Sequence, residues 1–132
     1  MRYLLDTSIA IHAGAARIEV IEKFRERAGA LVTSSLVLTE LSRGLYKRPA
    51  HHGVRRMQLE ILLQQVLVLD FDTSAAEAYG RILSGLGWVK GRDFDRMIAA
   101  HAISSRSILV TANEPDFRDI PGLMIENWLL PP

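Results

Sequence analysis

Short apolar runs alternate with longer amphipathic stretches along the chain. Arg2 to Leu5, Ala30 to Thr33, Val66 to Leu69, Ile108 to Val110 and Leu123 to Ile125 are the apolar runs. Runs this short, with helical stretches between them, predict buried strands. Val20, Ile21, Phe24 and Ala28 repeat with helical spacing, as do Leu38, Leu41 and Leu45. A helix from about Val54 to Gln65 places Val54, Met57 and Ile61 on one face. Ser74-Ala75-Ala76-Glu77 has capping-box spacing and opens a helix carrying Ala75, Tyr79, Ile82 and Leu86, with Gly85 and Gly87 as its stop. Ile98, Ala99, Ala102 and Ile103 mark a further helix just before the fourth strand. This order predicts an α/β fold with a mostly parallel central sheet and helices on both faces, because parallel neighbours need crossover connections. No repeat, low-complexity tract or linker interrupts it, so one domain over residues 1–132 is expected.

In such a sheet, ligands bind beyond the carboxyl ends of the strands. The polar residues that follow the apolar runs are therefore the informative ones. Asp6 ends the first run, where it can cap the following helical turn, bind a cation, or do both. Leu36, Glu40 and Gly44 form one stripe on the second helix, beside its apolar face. A glutamate there either snorkels to water or serves a site, and Gly44 suggests a close backbone approach. Asp95 precedes Ile98, Ala99 and Ala102 by three, four and seven positions, so it heads the apolar face of its helix. A carboxylate in that place must be paired, protonated or bound to a cation. Asp93 fits a plain N-cap. After the fourth run, Asn113, Pro115 and Asp116 fit a helix start, while Thr111 and Asn113 point at the same crevice.

Composition narrows the chemistry. Of the 132 residues, 48% are hydrophobic and 23% charged, with sixteen Lys plus Arg against fifteen Asp plus Glu. The formal charge of +1 excludes a binder that works by bulk positive charge. There are no cysteines, which removes disulfides and thiolate zinc sites and fits a cytoplasmic protein. The longest apolar candidate, Ile61 to Leu69, is broken by Gln64 and Gln65, so no membrane association is expected. Met1 to Asp6 reaches an acid too soon for a signal peptide. Several carboxylates at one sheet edge repel by about 4 kcal/mol per pair at 4 Å and an effective dielectric near 20. Cations or protons must neutralise them. With no cysteine and no histidine at ligand spacing, an all-oxygen site points to Mg²⁺ or Mn²⁺. Such sites serve phosphate chemistry.

These residues, taken in order, resemble a known family. Leu4-Leu5-Asp6-Thr7-Ser8, Ser34 with Glu40-Leu41-Ser42-Arg43-Gly44, Asp95 with Ile98-Ala99-Ala100-His101-Ala102, and Leu109-Val110-Thr111-Ala112-Asn113 through Asp116-Phe117 look like the motifs of PIN-domain ribonucleases. Ile120-Pro121-Gly122-Leu123 to Asn127-Trp128 completes the match. The pattern is most similar to the VapC-type toxins of type II toxin–antitoxin pairs. The resemblance implies a three-layer α/β/α sandwich, Mg²⁺-dependent endoribonuclease activity, a homodimer and an antitoxin partner. Carried over by position, it implies catalytic roles for Asp6, Glu40, Asp95 and Asp116, with Asp6 and Asp95 as metal ligands and Thr7, Ser8, Thr111 and Asn113 in support. Many relatives place an acid two residues after the threonine, where this chain has Asn113, so Asp116 is the nearby substitute. That departure leaves open whether Asn113 or Asp116 fills the fourth position and whether one metal binds or two; one cation at rest, with another arriving with substrate, is the expectation.

The basic residues are unevenly spread. From Leu41 to Leu59 there is no acid, while Arg43, Lys47, Arg48, Arg55 and Arg56 fall there with His51 and His52. Lys90 and Arg92, with Arg96, flank Asp95. Both groups are expected to bind RNA backbone. Trp88 offers a ring for a base, although packing in the core or at a subunit contact is the plainer expectation. Trp128 is expected to be structural. Two rival classes remain. A phosphohydrolase or phospho-receiver also puts acids at strand ends, but Ser8 stands where the former wants a second Asp and no Lys follows Val110. A degenerate PIN domain would bind RNA or protein without cleavage, and Asn113 is its only support.

Overall fold

The first strand predicted from sequence becomes the centre of the sheet. The computed structural model describes residues 1–130. Strand β1 (Arg2–Leu5) leads into helices α1 (Thr7–Gly14) and α2 (Ile18–Glu26), then β2 (Leu31–Ser34) and α3 (Ser35–Lys47). A 3-10 turn at Pro49–His51 precedes α4 (His52–Gln65), β3 (Leu67–Leu69), α5 (Thr73–Leu86) and α6 (Asp93–Ser104). Strand β4 (Ser107–Val110), a 3-10 turn at Glu114–Asp116 and β5 (Ile125–Glu126) follow. The strands lie in the order β3-β2-β1-β4-β5, and every pairing is parallel.

The chain winds from β1 out to β3, then crosses to the other side of β1 to add β4 and β5. Strand order therefore reverses between β1 and β4, whose last residues Leu5 and Val110 are register partners. A crevice opens beyond the carboxyl ends of strands at such a point. Helices cover both faces. Alternation along β1 sends Leu4 to one side, with Val32, Leu109, Ala78, Ile82, Ile98 and Ala99. Leu5 goes to the other, with Ile9, Val20, Phe24, Leu31, Leu62, Val110 and Trp128. The expected three-layer sandwich is observed, and Trp128 is a core residue, stacked edge-on to Phe24.

Several local expectations are corrected. Helix α5 starts earlier than the capping box suggests, because the Asp72 carboxylate accepts from the Ala75 amide at 2.9 Å. It runs through Gly85 and stops at Gly87, whose φ of +75° a side chain would resist. Helix α4 exists, but Val54, Met57 and Ile61 are half exposed. The helix packs against α1 and α3 and turns Leu62 inward instead, a choice between two apolar faces that periodicity cannot make. Gly44 makes no close backbone approach; a Cβ there would meet the Arg55 guanidinium at an ordinary 3.9 Å. Trp88 is 62% exposed and not in the core.

Candidate active site

Asp6 leaves β1 at its carboxyl end and caps α1. Its backbone is extended (φ −82°, ψ 177°), as an N-cap requires, and its amide donates to the Val110 carbonyl at 3.1 Å. The Ile9 amide (3.0 Å) and the Ser8 hydroxyl (2.6 Å) both donate to its Oδ1. Capping thus engages one carboxylate oxygen. Asp6 is only 6% exposed, and burial pushes its pKa up, against the lowering effect of Ser8, Thr111 and the Ile9 and Ser8 amides.

The end of β4 is laced to this turn. The Ala112 amide donates to Ser8 Oγ at 3.0 Å, and the Asn113 amide to Thr111 Oγ1 at 3.0 Å. Thr111 is fully buried, whereas Asn113 is exposed and its side chain caps nothing. The helix start expected here is a single 3-10 turn, and Asp116 is its last residue.

Asp95 sits in the first turn of α6. Its pKa is raised to about 6, first by desolvation and then by the negative charges of Asp116, Asp6 and Glu40, with Arg92 opposing. Four acids from four segments thus converge where strand order reverses. Glu40 enters from α3, partly buried and 3.8 Å from the exposed Arg43 guanidinium. Among the described residues, no three of these acids close into a preformed cage; they form an open, oxygen-only set. The neighbouring Thr7 hydroxyl is buried without a hydrogen-bond partner. Carboxylate and hydroxyl oxygens are the ligands a hard divalent cation takes, and it keeps some of its waters where the protein supplies few.

Two cations reach the acids directly, Arg43 beside Glu40 and Arg92 beside Asp95 and Asp116. Arg43 and Lys47 lie on α3, Arg55 and Arg56 on α4, and Arg48 between them, all exposed. Arg56 also donates to the Tyr46 hydroxyl at 3.0 Å. A cavity of about 400 Å³ between α1, α3 and α4 includes Arg48, His51 and Arg55 in its wall, but none of the four acids. On the other side, Lys90 is exposed, and Arg92 donates weakly to the Asp116 carbonyl at 3.4 Å.

Arg96 is a correction. It is 3% exposed, bonded to Asp119 at 3.2 Å and to the Gly87 carbonyl at 3.2 Å, so it holds structure and offers RNA nothing. Asp93 is a second correction. It opens α6 without capping it, and its two oxygens accept from the Tyr79 hydroxyl and the Trp88 indole N–H. His101, buried in the motif on α6, meets the N-cap of α3 through Nδ1 and Ser34 Oγ at 2.8 Å. Sequence spacing carried no signal for these pairs, whose members lie 5 to 67 residues apart.

The PIN domain pattern matches residues 3–123. A ribonuclease VapC2 from Rickettsia felis is 32% identical, over 97% of this chain and 98% of that protein. A tRNA(fMet)-specific endonuclease VapC from Salmonella typhimurium is 35% identical over the same shares. The crystal structure of DNA-bound VapBC from Salmonella typhimurium contains a chain that superposes with a TM-score of 0.88, at 32% identity, over 97% of this chain and 98% of that one.

Proposed function

The chain belongs to the PIN-domain family, among its VapC ribonucleases, and we propose that it is the toxin of a toxin–antitoxin pair, a divalent-cation-dependent endoribonuclease that cuts at the four-acid crevice. The observation that carries this reading is the convergence itself. Burial and three other carboxylates raise Asp95 to about 6, and in a family of nucleases such a cluster is a place for a cation. When bound there, Mg²⁺, or Mn²⁺ in its place, supplies charge neutralisation at the scissile phosphate and a lower pKa for the attacking water.

The chain's own groups do the rest. Asp6 and Asp95 would hold the cation, one from the end of β1 and one from the start of α6. Glu40 would hold the attacking water and take its proton as the oxygen adds to phosphorus; the phosphodiester P–O bond breaks and the leaving oxygen takes a proton from solvent. Asp116 is the fourth acid. It stands first among the charges that act on Asp95, whereas Asn113 is exposed. Ser8 and Thr111 fix the geometry of the two strand ends through their hydrogen bonds, and Thr7 leaves a free hydroxyl beside Asp6. Arg43, Lys47, Arg48, Arg55 and Arg56 on one side, with Lys90 and Arg92 on the other, draw the RNA backbone across an acidic pocket that would otherwise repel it. The antitoxin partner and the homodimer come with the family reading, as does a cytoplasmic setting. No helix among the described residues is long and apolar enough to cross a membrane.

The test is cleavage of total RNA by purified protein with Mg²⁺ and with excess EDTA. Cleavage with Mg²⁺ that EDTA abolishes supports the reading. Undiminished cleavage in EDTA contradicts the cation, and no cleavage under either condition returns the chain to a binding-only PIN domain.

A further inference from the structure

The loop between α5 and α6 is tied down at both ends. Gly87 and Gly91 have φ of +75° and +83°. Buried Arg96 donates to the Gly87 carbonyl at 3.2 Å, and the Arg92 amide donates to the Val89 carbonyl at 3.1 Å. Within this frame the Trp88 indole N–H donates to Asp93 Oδ2 at 3.0 Å, while the Tyr79 hydroxyl holds the other oxygen of the same carboxylate. The ring is pinned, yet 62% of Trp88 stays exposed. A large apolar ring is usually either buried or left to move. One that is both fixed and exposed has lost its conformational freedom before any partner arrives, which lowers the cost of binding.

The loop's position says what that partner is. Arg92 acts on Asp95 and bonds to the Asp116 backbone, so the loop's far end touches the acid crevice. A turn spans less than 7 Å and one further Cα step adds 3.8 Å, which puts the Trp88 backbone within about 11 Å of Arg92. Lys90 lies exposed between them. A fixed aromatic face next to two cations, at the edge of a phosphate-cutting site, is the arrangement that receives single-stranded nucleic acid: cations take the backbone and the ring takes a base. We propose that Trp88 is a stacking platform for a nucleobase adjacent to the scissile phosphate, and that Asp93 is the residue that positions it.

This rests on the ribonuclease reading, and the test separates the two. Steady-state cleavage of a short single-stranded oligoribonucleotide is measured with wild-type protein, Trp88→Ala, Trp88→Phe and Asp93→Asn. Loss of one stack by alanine substitution corresponds to a KM rise of about tenfold. We expect that rise in Trp88→Ala, with kcat within twofold of wild type, and a smaller rise in Trp88→Phe, which keeps a stacking ring but loses the hydrogen bond to Asp93. Asp93→Asn should raise KM by an intermediate factor at unchanged kcat. In the non-cleaving Asp95→Asn protein, the same oligonucleotide should quench tryptophan emission. Trp88→Phe should remove that quench, since Trp128 is buried, and so should an abasic nucleotide at the contacted position. Trp88→Ala with wild-type KM overturns the platform while leaving the nuclease standing. A changed oligomeric state with a KM that recovers at high protein concentration assigns the ring to a subunit contact and also overturns it. No cleavage by wild-type protein removes both readings.

Discussion

Asp95 is held half-buried against three like charges and titrates near 6 where an ordinary aspartate titrates at 3.8. The folded chain therefore binds this proton more tightly than the unfolded chain does. The resulting stability is fully present below about pH 4 and is lost as the pH rises through about 6. We expect Asp95→Asn and wild-type protein to melt together near pH 4 in EDTA. By pH 7 the variant should be ahead by roughly 1 kcal/mol after solvent screening, or about 3–5 °C. Thermal unfolding from pH 4 to 8 reads this directly, and a gap that does not change with pH contradicts the electrostatic account. Mg²⁺ should raise the melting temperature of wild-type protein and leave Asp95→Asn unmoved. These acids were legible in sequence for a physical reason. Asp6 ends an apolar run, and Asp95 heads an apolar helix face, so each breaks the pattern it sits in. Asp116 was less legible, because Asn113, Pro115 and Asp116 also describe an ordinary helix start. Only its placement beside Asp95 separates the two readings.

At the scale of elements, the first four strands follow the short apolar runs to within one residue, whereas β5 shares only Ile125 with the run Leu123 to Ile125. Strands β2 and β4 are buried on both faces, which is why they carry continuous and not alternating apolar runs. Helix α4 shows what was missed. Val54, Met57 and Ile61 share a face as spacing requires, yet α4 packs through Leu62, and only the neighbours α1 and α3 decide that. Arg96 shows the same limit for a charge, since its partner Asp119 lies 23 residues away. We expect Asp119→Ala to lower stability by about 1–2 kcal/mol in urea unfolding, because it strips a buried guanidinium of its carboxylate while the Gly87 carbonyl remains. Gly87→Ala should cost about 1 kcal/mol through its positive φ. Neither change touches the four acids, so kcat at 25 °C should persist in both.

Over the whole molecule, a formal charge of +1 hides a division. Four of the fifteen acids act on one another where strand order reverses, while exposed cations lie on α3, α4 and the loop before α6. RNA binding by this surface should therefore be salt-dependent through a few contacts. The slope of log K against log salt should fall by about 0.7 for each phosphate contact removed, as in Lys47→Ala or Arg55→Ala, with no change in cleavage pattern. The claim that joins these scales is that the converged carboxylates are the cutting site. The most direct measurement is single-turnover cleavage of a labelled RNA by purified Asp95→Asn and wild-type protein at pH 7.5 with Mg²⁺, at concentrations where both are folded by circular dichroism. Wild-type protein should cut, and Asp95→Asn should show no cleavage above background. Cleavage by folded Asp95→Asn at the wild-type rate would contradict the assignment.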